Sequence, residues 1–318
     1  MTTISRGAAY APRVSCFGGT VTAHRIALLA PAKVNLFLAV GELRSDGYHD
    51  VVTILQALDE SVADVVELTA ADSLSVTCAP DIGVAAEENL VHRALVRLGE
   101  IAGRAPEFSV LVHKRVPAAG GLGGASSDAA AALTGACRLW GLDESSAEVI
   151  DVAKSLGADV PFFLGGGTAL YDGRGDSFVR RMQTPDLALV VINPGVSVPT
   201  PAAYAAFDQQ LRNGTPDASA MIDAIDSGNP VDISAALFNN LTEAAIGLAP
   251  EVLEALQFLS QSDGILGSLV SGSGSSVFGI CENTESAQRV ARLAAVRDGW
   301  WASATSASAG GITEVEPG

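Results

Sequence analysis

An α+β fold in two domains, with a ligand cleft between them, follows from three features of the 318-residue sequence. Strand-like and helix-like runs follow one another without the regular βαβ order of a doubly wound sheet. A second half opens near Leu187, where Leu-Ala-Leu-Val-Val-Ile192 reads as a buried strand ended by Asn193-Pro194-Gly195. A glycine-rich loop stands between a strand-like run at 108–113 and an alanine-rich helix at 126–139, and clefts between domains are where ligands collect.

Taken in order, residues 1–25 hold Arg6, Arg13 and Arg25 but no acid, and they lack periodicity. A disordered tail is expected there, with a short organelle transit peptide as the alternative. The N-terminal domain is assigned to 26–186, with strands at 26–29, 34–40, 65–69, 74–78 and 108–113 and helices at 89–102, 126–139 and 146–156. The C-terminal domain is assigned to 187–301, with strands at 187–192, 267–270 and 277–281 and helices at 250–261 and 286–296. Residues 212–230 are polar and punctuated by Gly and Pro, a surface connection. The Ser/Ala/Gly-rich stretch 302–318 is expected to be a loose tail.

Hydrophobic residues make up 48% of the chain and charged ones 17%, as in a well-buried globular protein. The net charge of −17 disfavours nucleic acid and anionic membranes, which both attract basic faces. No apolar run approaches the length of a membrane span. The four cysteines, Cys16, Cys78, Cys137 and Cys281, lie far apart in neither a metal nor a disulfide spacing, which suits a reducing cytoplasm. An anionic substrate must therefore be held by local features against the global field. Lysine is scarce, only Lys33, Lys114 and Lys154, and two of these lie in or beside motif segments, which hints at specific tasks.

The loop itself is Pro117-Ala118-Ala119-Gly120-Gly121-Leu122-Gly123-Gly124-Ala125-Ser126-Ser127-Asp128. Its glycines let the backbone take positive φ and approach a ligand, and Ser126, Ser127 or Asp128 could cap the helix that follows. A strand, a glycine loop and a helix start together aim N–H groups and the positive end of the helix dipole at one point, a cradle for phosphate. Neither Gly-Lys nor Gly-x-Gly-x-x-Gly occurs here, so the commoner phosphate motifs are absent, and the competing reading is a flexible connector before a core helix.

Other segments bear on chemistry by themselves. Asp159 lies in Gly157-Ala-Asp-Val-Pro-Phe-Phe163, a cap or turn position whose apolar neighbours would partly desolvate the carboxylate and strengthen it as a base. In Ala30-Pro-Ala-Lys33-Val-Asn35-Leu-Phe-Leu38, strand alternation puts Lys33, Asn35 and Phe37 on one face, solvent or site, and Val34, Leu36 and Leu38 on the other. Arg44-Ser-Asp46-Gly47-Tyr48-His49 is a turn by its Asp-Gly pair, yet Tyr48 and His49 also offer the aromatic face and hydrogen-bonding ring that a nucleobase needs. Ser271-Gly-Ser-Gly-Ser-Ser276 reads on its own as a hairpin turn.

The loop resembles the ATP loop of the GHMP kinases, named for galactokinase, homoserine kinase, mevalonate kinase and phosphomevalonate kinase. The longer Gly-Gly-x-Ser-Ser-Asp-Ala-Ala form resembles the branch whose acceptor is a cytidine diphosphate-linked methylerythritol. The resemblance spans about residues 28–282, with four motifs in order. It implies the two-domain GHMP fold, ATP with Mg²⁺ as phosphate donor, and small molecules as partners. It makes residues 117–127, with Asn89, Ser273 and Gly274, contacts of ATP. Asp159 becomes the base that takes the acceptor's proton, with Lys33 beside it. Asn35, Tyr48, His49, Pro194 and Thr200 face the acceptor, Tyr48 and His49 reading cytosine. Which residues ligate the metal stays open.

The chain departs from the family at Asn240-Leu-Thr-Glu243, which leaves the role of Asn240 open. Ala118, Ala119 and Ala125 also stand where glycine or methionine is common. Mevalonate- or homoserine-type kinases, a decarboxylase relative, and a nucleotide-binding protein without turnover are the rival readings. A pure binder needs neither Asp159 nor Lys33.

Overall fold

The computed structural model describes residues 25–210 and 217–316, so the expectation for residues 1–24 lies outside the described residues. Three sheets carry the architecture. The first has the order β14-β1-β4-β6-β5, built from β1 (Arg25–Pro31), β4 (Ala63–Ala70), β5 (Ser75–Ala79), β6 (Phe108–His113) and β14 (Thr313–Val315). The second has the order β10-β2-β3-β7-β8, from β2 (Lys33–Leu43), β3 (His49–Ala57), β7 (Thr168–Asp172), β8 (Ser177–Met182) and β10 (Phe238–Asn239). The third has the order β11-β12-β9-β13, from β9 (Ala188–Asn193), β11 (Ile265–Val270), β12 (Val277–Cys281) and β13 (Trp301–Ser306). The α+β class expected from the irregular order of elements is what forms.

Among the described residues, four α-helices precede β7: α1 (Leu90–Ala102), α2 (Gly124–Trp140), α3 (Ala147–Leu156) and α4 (Val160–Gly165). The Ala-rich α2 is buried from Ser127 to Cys137, because small side chains let β1, β4, α1 and α4 close around it. Ile26, Leu28 and Leu68 of the first sheet join this core with Leu95, Leu133 and Phe163. Among the described residues, six more α-helices follow β9: α5 (Thr200–Phe207), α6 (Ser219–Ser227), α7 (Pro230–Ala235), α8 (Thr242–Leu248), α9 (Pro250–Ser260) and α10 (Thr284–Ala295). The expected surface connection at 212–230 is corrected over its described part. Residues 219–227 form α6, and Met221, Ala224 and Ile225, at helical spacing, bury one face of it.

The tail at 302–318 is not loose over its described length. β13 pairs antiparallel with β9, and β14 pairs antiparallel with β1, so the segment runs from the third sheet to the edge of the first. Asp59 fastens the crossing by accepting hydrogen bonds from Thr305 Oγ1 (2.9 Å) and from Ser306 N (2.8 Å) and Oγ (2.6 Å). These are edge strands, held by partners distant in sequence, which local composition does not reveal.

Asn240, whose role the sequence left open, spends both ends of its amide on one residue. Its Oδ1 accepts from Val40 N and its Nδ2 donates to Val40 O, each at 2.9 Å, tying β10 to β2. Neighbouring Asn239 donates to the carbonyls of Val270 (2.9 Å) and Gly272 (2.8 Å). The two asparagines thus join the second sheet to the third beside the cleft.

Candidate active site

The glycine loop leaves β6 and enters α2 with Gly123 at the N-cap, φ +74°. None of Ser126, Ser127 or Asp128 caps the helix, which corrects that expectation: no side chain does. The first turn therefore lacks a side-chain partner for its N–H groups, which suits an anion there. A Cβ at Gly123 would stand 2.8 Å from Phe163 Cζ and 3.1 Å from Lys33 Cγ, so the loop packs closely onto both the core and the strand that carries Lys33.

The Ser271–Ser276 segment joins β11 to β12 as its own residues suggest, and it also braces the first loop. Ser271 Oγ donates to Gly121 O (2.9 Å), Ser276 N donates to Gly120 O (3.0 Å), and Asn193 Nδ2 donates to Ser276 Oγ (3.0 Å). Thr200, at the start of α5, lies 3.0 Å from Ser273 across their hydroxyls. A cavity of about 650 Å³ opens between these parts. Its wall includes residues 117–126 of the loop together with Asn89, Lys33, Asn35, Asp159, Thr200 and Ser273. Ser127, Gly274, Pro194, Tyr48 and His49 are not on that wall. Ser127 is buried behind it, and Asn89 also caps α1 by accepting from Val91 N at 2.9 Å.

Lys33 and Asp159 meet at 3.5 Å between Nζ and Oδ2. Lys33 is only 3% exposed and Asp159 31%, so the ammonium is sealed while the carboxylate faces the cavity. Asp159 occupies the cap position of α4, but its side chain makes no capping bond and stays available. Lys33 Nζ donates to Asn35 Oδ1 at 2.7 Å. The expected alternation along β2 stops here. The β2–β3 register shifts between Asn35 and Phe37, and this bulge returns Leu38 to the cavity side. Phe37 instead packs on Phe238, ring centroids 5.3 Å apart, within the core.

At the far end of the cavity, Tyr48 is 54% exposed on the β2–β3 hairpin, with the Arg174 guanidinium 4.8 Å from its ring centre. His49 is buried, with Nε2 2.9 Å from Asp208 Oδ1 and its ring 5.1 Å from that of Tyr204. Arg174 and Tyr204 do line the cavity. Burial, with the charge of Asp159 adding to it, pushes the Tyr204 phenol up to about 12, so it stays a neutral donor beside the carboxylate. Sequence reasoning missed Arg174, whose only hint was an Arg in a glycine turn. Tyr204 it reached only as the end of the Pro194–Tyr204 segment, which the resemblance puts on the far wall of the acceptor pocket.

A second charged cluster lies beneath the α2 start. Lys114 Nζ donates to Asp128 Oδ2 at 2.7 Å and also to Asp64, which further accepts from the backbone N–H of Arg115 (2.5 Å) and Val116 (2.9 Å). Burial would lower the Lys114 ammonium, but Asp128 and Asp64 outweigh it and hold it above its usual value. Burial pushes the Asp128 carboxyl up to about 7, against the pull of Lys114, and its Oδ1 has no partner. Among the described residues, no group of three or more His, Cys, Asp or Glu side chains could hold a metal ion. No helix among them is long and apolar enough to cross a membrane.

Comparison with known proteins accords with this geometry. Residues 89–167 match the GHMP kinases N terminal domain and residues 221–295 the GHMP kinases C terminal domain. The chain is 39% identical over 282 residues to a 4-diphosphocytidyl-2-C-methyl-D-erythritol kinase of Nocardia farcinica, covering 86% of this chain and 90% of that one. It is 40% identical to a protein of the same description from Pelotomaculum thermopropionicum, over 84% of this chain and 92% of the other. A crystal structure of a 4-(cytidine 5'-diphospho)-2C-methyl-D-erythritol kinase superposes with a TM-score of 0.74 at 35% identity, covering 89% of this chain and all of that one. A homoserine kinase from Cytophaga hutchinsonii shares the fold, with a TM-score of 0.75 at 19% identity over 95% of this chain and all of the other. With such identity across most of both chains, this chain belongs to the 4-diphosphocytidyl-2-C-methyl-D-erythritol kinases of the GHMP superfamily.

Proposed function

We propose that this chain transfers the γ-phosphoryl group of ATP to the 2-hydroxyl of 4-diphosphocytidyl-2-C-methyl-D-erythritol, a step of the non-mevalonate isoprenoid precursor pathway. The observation that carries the mechanism is the Lys33–Asp159 pair, 3.5 Å apart on the wall of a cavity that also holds the glycine loop. Asp159 accepts the proton of the acceptor hydroxyl as its oxygen bonds to phosphorus and ADP departs. The Lys33 ammonium, beside Asp159, favours negative charge developing on the reacting oxygen. The α2 start and the loop N–H groups hold the ATP phosphates, so most of the acceleration comes from positioning and electrostatics.

Mg²⁺ fits as a companion of the nucleotide. It needs few protein oxygens when phosphates and water supply the rest, and the wall carboxylates that could face it are Asp159 and Glu88, whereas Asp128 is tied to Lys114. When bound, it draws charge from the phosphate oxygens. Arg174 and Tyr204 line the end of the cavity assigned to cytosine, with Tyr48 and His49 packed against them. The free thiols of Cys78, Cys137 and Cys281 agree with a cytoplasmic enzyme.

Release of ADP measured with the cytidyl acceptor, mevalonate and homoserine in parallel tests the reading. Turnover is expected with the cytidyl acceptor alone, cytidine nucleotides should compete with it and not with ATP, and Tyr48→Ala should raise its KM at least about fivefold. Turnover of mevalonate or homoserine in preference would overturn the acceptor assignment.

A further inference from the structure

We propose that Thr53 is a positioning residue for phosphoryl transfer, acting through Asn35 to hold the Lys33 ammonium in place beside Asp159. The inference rests on the kinase reading above and adds a residue that neither sequence nor resemblance singled out. Thr53 lies on β3, opposite Leu38, where the β2 bulge has already shifted the register. It is 3% exposed, and it shares the cavity wall with Lys33 and Asn35.

The argument is one of donors and acceptors. A threonine hydroxyl has one proton to give, and Thr53 Oγ1 gives it to the carbonyl of Phe37 at 2.8 Å. A carbonyl can only accept, so the direction of this bond is settled. What Thr53 then presents to Asn35 is a lone pair, and Asn35 Nδ2 donates to it at 2.9 Å. The amide is thereby locked with Oδ1 facing the other way, where it accepts from Lys33 Nζ at 2.7 Å. Turned over, the same amide would point N–H groups at an ammonium that is itself an obligate donor.

Each member is buried, so no water replaces a lost partner without rearrangement. The bulge is part of the device, because it brings the Phe37 carbonyl within reach of a side chain on the neighbouring strand. The second glycine loop closes over the pair: a Cβ at Gly272 would stand 3.3 Å from Lys33 Nζ and 3.5 Å from Asn35 Oδ1. Without Thr53, Asn35 is free to turn, and Lys33 loses the contact that keeps it from collapsing onto Asp159. An overly tight ion pair would draw the carboxylate away from the acceptor hydroxyl.

The test compares Thr53→Val, which keeps the shape and removes the hydroxyl, with Thr53→Ser, which keeps the hydroxyl. Thr53→Val should lower kcat about ten- to a hundredfold while the KM for ATP stays within about twofold, and Thr53→Ser should recover most of the loss. In an Asn35→Ala background, Thr53→Val should have little further effect, because both changes cut the same relay. If Thr53→Val does not fold, as thermal melting would reveal, Thr53→Ala carries the same cycle. Equal losses in Thr53→Val and Thr53→Ser, or effects that multiply in the cycle, would overturn the relay and leave only packing. A Thr53→Val enzyme as fast as wild type would do the same. The readout is ADP release with whichever acceptor wild type turns over. A wild type inert with the cytidyl acceptor but active with another overturns the acceptor assignment alone, and one inert with every acceptor overturns both.

Discussion

Lys33 and Lys114 both have buried ammonium groups on the wall of one cavity, yet their surroundings assign them opposite work. Lys33 faces a single carboxylate at 3.5 Å, and that partner is nearly a third exposed to the cavity. Lys114 is bonded to two buried carboxylates, Asp64 and Asp128, so its charge is consumed inside the protein. A cation with a solvent-facing, loosely held partner can respond to a reacting group, whereas one enclosed by two acids is a structural rivet under the glycine loop. Scarcity of lysine drew attention to both. Only the count of carboxylates around each separates them.

The contrast can be broken most decisively at Asp159. Asp159→Asn keeps the shape of the pair and removes the proposed base, so kcat should fall by about two to four orders of magnitude with ATP affinity, measured by calorimetry, largely kept. Retention of a tenth of wild-type kcat would remove Asp159 from the chemistry.

At the other lysine the effect should move to stability. Lys114→Met keeps the volume but strands two buried carboxylates, which should cost about 3–5 kcal/mol in denaturant unfolding. Lys33→Met should do the reverse, lowering kcat steeply with a small change in unfolding. A Lys114→Met enzyme with unchanged stability and lost turnover would reverse the two assignments.

The smallest effect belongs to Asp128. Its folded-state value is raised to about 7, above that of an unfolded aspartate, so the folded protein holds the extra proton between. Stability from this group is therefore present at low pH and declines as pH rises through about 7. Melting of wild type should fall by about 2 °C relative to Asp128→Asn as pH is raised from 5 to 8. Parallel pH profiles for the two proteins would show that Asp64 and Lys114 absorb the charge.

Much of this was readable in the chain because the signals are local. The strand–loop–helix around Gly120–Gly124, the strand of Lys33 and Asn35 and the helix preceding Asp159 each depend on neighbours in sequence. What stayed hidden depends on partners far away. The bulge after Asn35 arises from pairing with β3, and alternation alone puts Phe37 on the wrong face. Thr53 and Arg174 acquire meaning only when the second sheet brings them to the cavity. His49 was read as a base-recognising ring, but its Nε2 is already engaged by Asp208, 159 residues away. Ser127 and Gly274 sit in the right motifs but are not on the cavity wall.

The strand pair β1–β14 has a bearing on how such a chain is assembled. Ala27 lies opposite Val315, and β13 covers the edge of β9 on the way there. Two sheets thus wait on residues 301–315 for their outer strands. Until those arrive, β1 and β9 each present an open ladder of N–H and C=O groups, the kind of edge on which chains stick to one another. A protein shortened before Trp301 would keep every residue of the glycine loop and of the Lys33–Asp159 pair, and would still be a poor protein to purify.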